Sequence, residues 1–68
     1  MMASEMIREM RCRRGETVAE FANFLGLPES IVLGWETGII APSYWVGLLV
    51  ARIVLDAELM HSLNHPKK

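Results

Sequence analysis

The chain predicts an all-α domain of four to five helices. Three observations carry that expectation. Apolar residues recur at three- and four-residue steps in successive short segments. Glycine and proline punctuate those segments at Gly15, Gly26, Pro28, Gly38 and Pro42. Thr17-Val18-Ala19-Glu20 has the form of a capping box, in which the threonine oxygen and the glutamate each satisfy an orphan backbone N–H.

The first helix is expected over residues 4–13. Ser4 is placed to cap it, and Glu5 lies in the first turn, where the helix dipole favours an anion. Met6, Ile7 and Met10 share a face, the arginines gather at the C-terminal end, and Gly15 stops the helix. The second helix opens at Thr17, places Val18, Phe21, Ala22 and Leu25 on one face, and ends at Gly26, a natural left-handed residue. Pro28 suits the first turn of a third helix, in which Ile31 or Val32 and Trp35 face inward and Gly38 ends the run. Helix, glycine-containing turn and short helix make the outline of a helix-turn-helix. Ser43 is placed to cap a fourth helix reaching about Leu55, apolar nearly all round, which therefore needs cover on more than one side. Asp56 either caps a fifth helix through about Leu63 or lies within a continuing fourth.

With 68 residues, the chain is one domain, 1–68. Half of it is apolar (51%) with a mean hydropathy of +0.24, which excludes a disordered charge-rich tail. A domain of this size buries only about 60% of the surface its extended chain exposes, so greasy surface should remain for a second copy. Trp45, Leu49, Ile53 and Leu59 are the expected dimer interface, and Trp35 and Trp45 are expected as core or interface anchors. The lone Cys12 excludes an internal disulfide. No secretory signal is visible, and the longest charge-free stretch, Thr37 to Ala51, is broken by Pro42. A transmembrane helix needs roughly 18 apolar residues, so a soluble cytoplasmic protein is expected, with no membrane partner. Size and the lack of clustered catalytic residue types argue against an enzyme. His61 and His65 lie four apart but have no third ligand near in sequence, so neither metal nor cofactor is expected.

The net charge of −1 is unevenly spread. Residues 1–14 carry Arg8, Arg11, Arg13 and Arg14 against Glu5 and Glu9. Residues 15–59 carry six carboxylates against Arg52 alone, and Lys67 and Lys68 close the chain. Phosphate binding draws most of its affinity from a basic stripe. Only the first segment and the tail could supply one.

The frame Phe21-Ala22, Leu25-Gly26-Leu27, Val32, Trp35-Glu36-Thr37-Gly38 and Pro42-Ser43 resembles the phage-repressor-type (XRE-like) helix-turn-helix family, found in phage, mobile-element and antitoxin operons. The likeness spans roughly residues 5–55. It implies a lambda-repressor-like fold and a sequence-specific transcriptional repressor that binds double-stranded DNA as a homodimer and regulates its own operon. It implies a recognition helix at about 28–36 in the major groove. It also implies a structural ion pair between Arg11 and Glu36, whose bland alternative is two solvated charges. This chain departs from the family pattern in three places. Val18 stands where glutamine is common near a phosphate. The recognition-helix face shows Glu29, Ser30, Ile31, Leu33 and Gly34. The loop after Gly38 is Ile39-Ile40-Ala41.

On that resemblance, Glu29, Ser30 and Leu33 are candidate base readers: a carboxylate accepts from cytosine N4, a hydroxyl serves several base edges, and an apolar group meets the thymine methyl. Gly34 is expected to allow close backbone approach. Arg8, Arg13, Arg14, Thr17, Val18 and Ser43 are candidate backbone contacts, with helix N-termini contributing N–H groups. Two rivals compete with this reading. One is a protein-interaction module that keeps the frame without a DNA face. The other is an antitoxin that neutralises a cognate toxin through the fourth helix.

Overall fold

The computed structural model describes residues 3–64. They form four helices, α1 (Ala3–Arg14), α2 (Val18–Leu25), α3 (Glu29–Thr37) and α4 (Tyr44–Asn64), with no strand among the described residues. The expected all-α architecture is what forms.

Local chemistry sets each boundary. α1 begins one residue earlier than its composition suggests, so Ser4 lies inside the first turn rather than capping it. It ends in a Schellman arrangement: the Gly15 N–H donates to the Cys12 carbonyl at 3.0 Å, and the Glu16 N–H to that of Arg11 at 3.3 Å. At α2 the capping box is complete. The Glu20 N–H donates to Thr17 Oγ1 at 3.1 Å, and the Thr17 N–H to Glu20 Oε1 at 2.8 Å. Gly26, at φ 76°, closes α2 with a second Schellman pair to Asn23 and Ala22. An L side chain would be strained at that angle. Pro28 sits at the N-cap of α3 with φ −62° and ψ 143°, one position before the helix rather than within its first turn. Ser43 caps α4, its Oγ accepting from the Val46 N–H at 3.2 Å.

α4 is a single helix of 21 residues. Asp56 starts no fifth helix. It sits one turn after Arg52 and pairs with it at 3.2 Å, an i,i+4 arrangement that supports helix continuation. No glycine or proline follows Gly47 until Pro66, so nothing in the backbone stops the helix earlier.

The core is built by Ile7 of α1, Phe21 and Ala22 of α2, Val32 and Trp35 of α3, and Val50 and Val54 of α4. Met10, Val18, Phe24, Leu25, Ile31 and Val46 pack around it. Phe21 is fully buried. Its truncation to alanine would cost about 3–5 kcal/mol, a large share of a small domain's stability. The two tryptophans part company: Trp35 is in the core, whereas Trp45 is 76% exposed, its ring edge-on to that of Tyr44. α4 lies against α1, while α3 packs on both α1 and α2. No helix among the described residues is long and apolar enough to cross a membrane.

Candidate nucleic-acid interface

α2 and α3 form a bihelical unit joined by Gly26, Leu27 and Pro28. The inner side of α3 carries Val32, Trp35 and Glu36, all buried. Its outer side carries Glu29, Ser30, Leu33 and Thr37, all exposed. Their spacing keeps the four within one face of the helix. Glu29, Ser30 and Leu33 therefore lie together where base readers would have to lie. Thr37 belongs with them and was missed. It is four residues beyond Leu33 on the same face, a signal the sequence carries. Its Oγ1 donates to the Leu33 carbonyl at 2.9 Å.

Glu36 fixes how this edge is presented. Its side chain is 5% exposed and is gripped by Arg11 in a two-pronged pair: Nε to Oε2 at 2.7 Å and Nη2 to Oε1 at 2.8 Å. Arg11 Nη1 also donates to the Glu16 carbonyl at 3.0 Å. One guanidinium thus joins α1, the α1–α2 turn and the end of α3. The hydrogen bond to Glu36 raises the Arg11 pKa above its ordinary value, with burial opposing. Arg8 adds a second cation. It donates to the Glu36 backbone carbonyl, and its Nε lies 3.7 Å from Oε1. Arg8 was expected among the phosphate contacts. Here it neutralises the buried carboxylate from the solvent side.

Several expected contacts are placed elsewhere. Gly34 is buried and does not face a groove. A Cβ built on it would stand 2.6 Å from Ile40 Cδ1 and 2.8 Å from Cγ1. The Ile40 N–H also donates to the Gly34 carbonyl at 3.0 Å. The missing side chain makes room for the returning loop, not for nucleic acid. Val18 is half-buried against the core rather than projecting from the start of α2. Thr17 and Ser43, by contrast, stay exposed at the starts of α2 and α4, their side-chain oxygens serving as the expected caps. Arg14 lies flat on α2, its guanidinium carbon 3.6 Å from the Phe24 ring centre and its Nε 2.7 Å from Glu16 Oε1. Arg13 reaches the other way, to Glu58 of α4 at 3.3 Å, with 62% of its side chain exposed. Among the described residues, each arginine thus faces a carboxylate. Lys67 and Lys68 lie outside the described residues, as does His65.

The expected interface residues Trp45, Leu49, Ile53 and Leu59 are all exposed on α4. Cys12 is exposed as well.

Fold and site together define a small all-α domain with a helix-turn-helix whose outer edge faces solvent. Comparison with protein-family models, with curated proteins and with solved structures finds no match.

Proposed function

We propose that the chain is a cytoplasmic, sequence-specific DNA-binding repressor acting as a homodimer on an inverted repeat. The observation that supports this most is the outer edge of α3. Glu29, Ser30, Leu33 and Thr37 stay in solvent while the opposite side of the same helix is locked to α1 through Glu36 and Arg11. A reading helix needs both properties: free functional groups and a fixed angle of approach. The four side chains offer the Glu29 carboxylate, the Ser30 hydroxyl, the Thr37 oxygen as an acceptor only, and the apolar Leu33, a set suited to base edges in the major groove.

Phosphate anchoring falls chiefly to Arg13. Its pair with Glu58 is exposed, and such pairs contribute only about 0–1 kcal/mol, so exchange of carboxylate for phosphate costs little. Arg14 is held by both Glu16 and Phe24 and gives up more. Affinity therefore rests on few ionic contacts. The logarithm of the binding constant should fall with the logarithm of salt at about −0.9 per phosphate neutralised, giving a shallow slope overall.

The test is selection from a random duplex library at low salt, followed by fluorescence anisotropy of the enriched duplex. The reading expects an inverted repeat with half-site centres about 34–36 Å apart, or multiples of one turn. A library that enriches nothing, with no binding at low salt, overturns it. One observation favours a protein-interaction module instead: among the described residues every arginine is already matched by a carboxylate, and Glu29 makes the α3 edge acidic. That module would leave the duplex library untouched.

A further inference from the structure

α4 has an inner face and an outer face. Gly47, Val50 and Val54 are buried against the rest of the chain. Beyond Val54 only Ala57 and Glu58 are even half-buried, and residues 59–64 are exposed. The helix is about 31 Å long and its exposed C-terminal turns overhang the rest of the molecule, giving it an elongated 44 × 22 × 17 Å outline.

On the outer face, Trp45, Leu49, Arg52, Asp56, Leu59 and Leu63 recur in alternating steps of four and three, the spacing of a helix-pairing seam. All six are exposed, Trp45 at 76% and Leu63 at 66%. Leu48, Ile53, Leu55 and Met60 flank the seam and are exposed too. The seam is also symmetric about Val54. Arg52 and Asp56 stand equally far from it on either side, then Leu49 and Leu59, then Trp45 and Leu63.

That symmetry selects both an occupant and an orientation. We propose that the outer face of α4 pairs with the same face of a second copy, antiparallel, about a two-fold axis at the level of Val54. Arg52 then meets the partner's Asp56, and the partner's Arg52 meets Asp56. Leu49 packs on the partner's Leu59, and Trp45 is covered by the partner's Leu63 on the overhanging turn. In a parallel pair the same seam would set Arg52 against Arg52 and Asp56 against Asp56, two like-charge layers within an apolar interface. A charged layer in an otherwise apolar seam sets register and orientation at some cost in stability. The Arg52–Asp56 pair within one chain is exposed and weak, so it can open to form the crossed pairs. This inference deepens the homodimer element of the function proposed above and rests on that element alone, independent of DNA binding.

Sedimentation equilibrium on the full chain tests it, with circular dichroism confirming that each variant stays helical. Wild type is expected to be a dimer at micromolar concentration. Arg52→Asp and Asp56→Arg each put like charges across the seam and should each weaken the dimer at least about tenfold. The Arg52→Asp/Asp56→Arg swap should restore it. Orientation is read by disulfide trapping in a Cys12→Ser background. An equimolar mixture of Leu49→Cys and Leu59→Cys chains is expected to cross-link to each other, and Leu63→Cys alone is expected not to. A monomeric wild type, single reversals that leave the dimer intact, or ready self-linking of Leu63→Cys would overturn the proposal. Duplex binding by a monomeric wild type would sink the pairing and spare the DNA reading. A trapped dimer that binds no duplex would do the reverse.

Discussion

Replacing Arg11 with alanine tests the joint that holds α3 in place. The substitution leaves the Glu36 carboxylate buried, with Arg8 at 3.7 Å as its nearest remaining cation, and removes the bond to the Glu16 carbonyl. Breaking one side of a buried pair costs about 3–5 kcal/mol. Arg11 keeps 19% of its side chain in solvent and Arg8 can close in, so the lower end, about 3 kcal/mol, is expected. A domain of this length has roughly 3–10 kcal/mol in all. At about 4–8 °C per kcal/mol, the melting temperature should drop by about 12–24 °C. Thermal melts by circular dichroism, at one fixed protein concentration because pairing shifts the midpoint, measure it. The double variant Arg11→Met/Glu36→Leu separates loss of charge pairing from stranding of a charge. It should regain most of the loss, because apolar replacement of a buried pair is often near neutral. A melting temperature within about 2 °C of wild type for Arg11→Ala would refute the reasoning, since that small a shift belongs to an exposed pair.

Gly34→Ala should lower stability by about 1 kcal/mol despite alanine's better helix propensity, because its Cβ meets Ile40. In an Ile40→Ala background, where only the Cβ at 3.3 Å remains, the same change should no longer lower stability, and a gain in both backgrounds would remove the packing argument. Thr17→Ala should cost about 1 kcal/mol in urea unfolding through loss of the α2 cap, and no change in midpoint would contradict the capping geometry. Arg13→Ala should shift stability by less than about 1 kcal/mol and flatten the salt slope of duplex binding by about 0.9 per protomer. An unchanged slope would remove Arg13 from the phosphate contacts.

What was legible in the sequence was local. The capping box at Thr17 and Glu20 depends on residues three apart, and the glycine stops at Gly15, Gly26 and Gly38 depend on single φ angles. Both can be read one turn at a time. The inward face of α2 followed from spacing for the same reason. What could not be read locally was where a turn or loop folds a neighbouring segment back onto a residue. Gly34 suggests an open backbone until the loop brings Ile40 back over it. Arg14 suggests a free cation until α2 places Phe24 beneath it. Asp56 fits a cap or a helix interior equally well by composition, and the continuous α4 settles it as interior, one turn after Arg52. At Val18 the spacing and the family frame pull apart: the apolar periodicity puts it on the inner face with Phe21 and Ala22, where it packs, while the frame puts that position beside a phosphate. Arg11 and Glu36, 25 residues apart, were paired only through the family resemblance; nothing in their local sequence joins them.

The outer edge of α3 is the centre of the account, and NMR titration of the isotope-labelled protein with the selected duplex reads it residue by residue. The amides of Glu29, Ser30, Leu33 and Thr37 are expected to move most, with those at the start of α2 following and the outer face of α4 still. Perturbations confined to α4, or a spectrum unmoved by duplex at low salt, would contradict it.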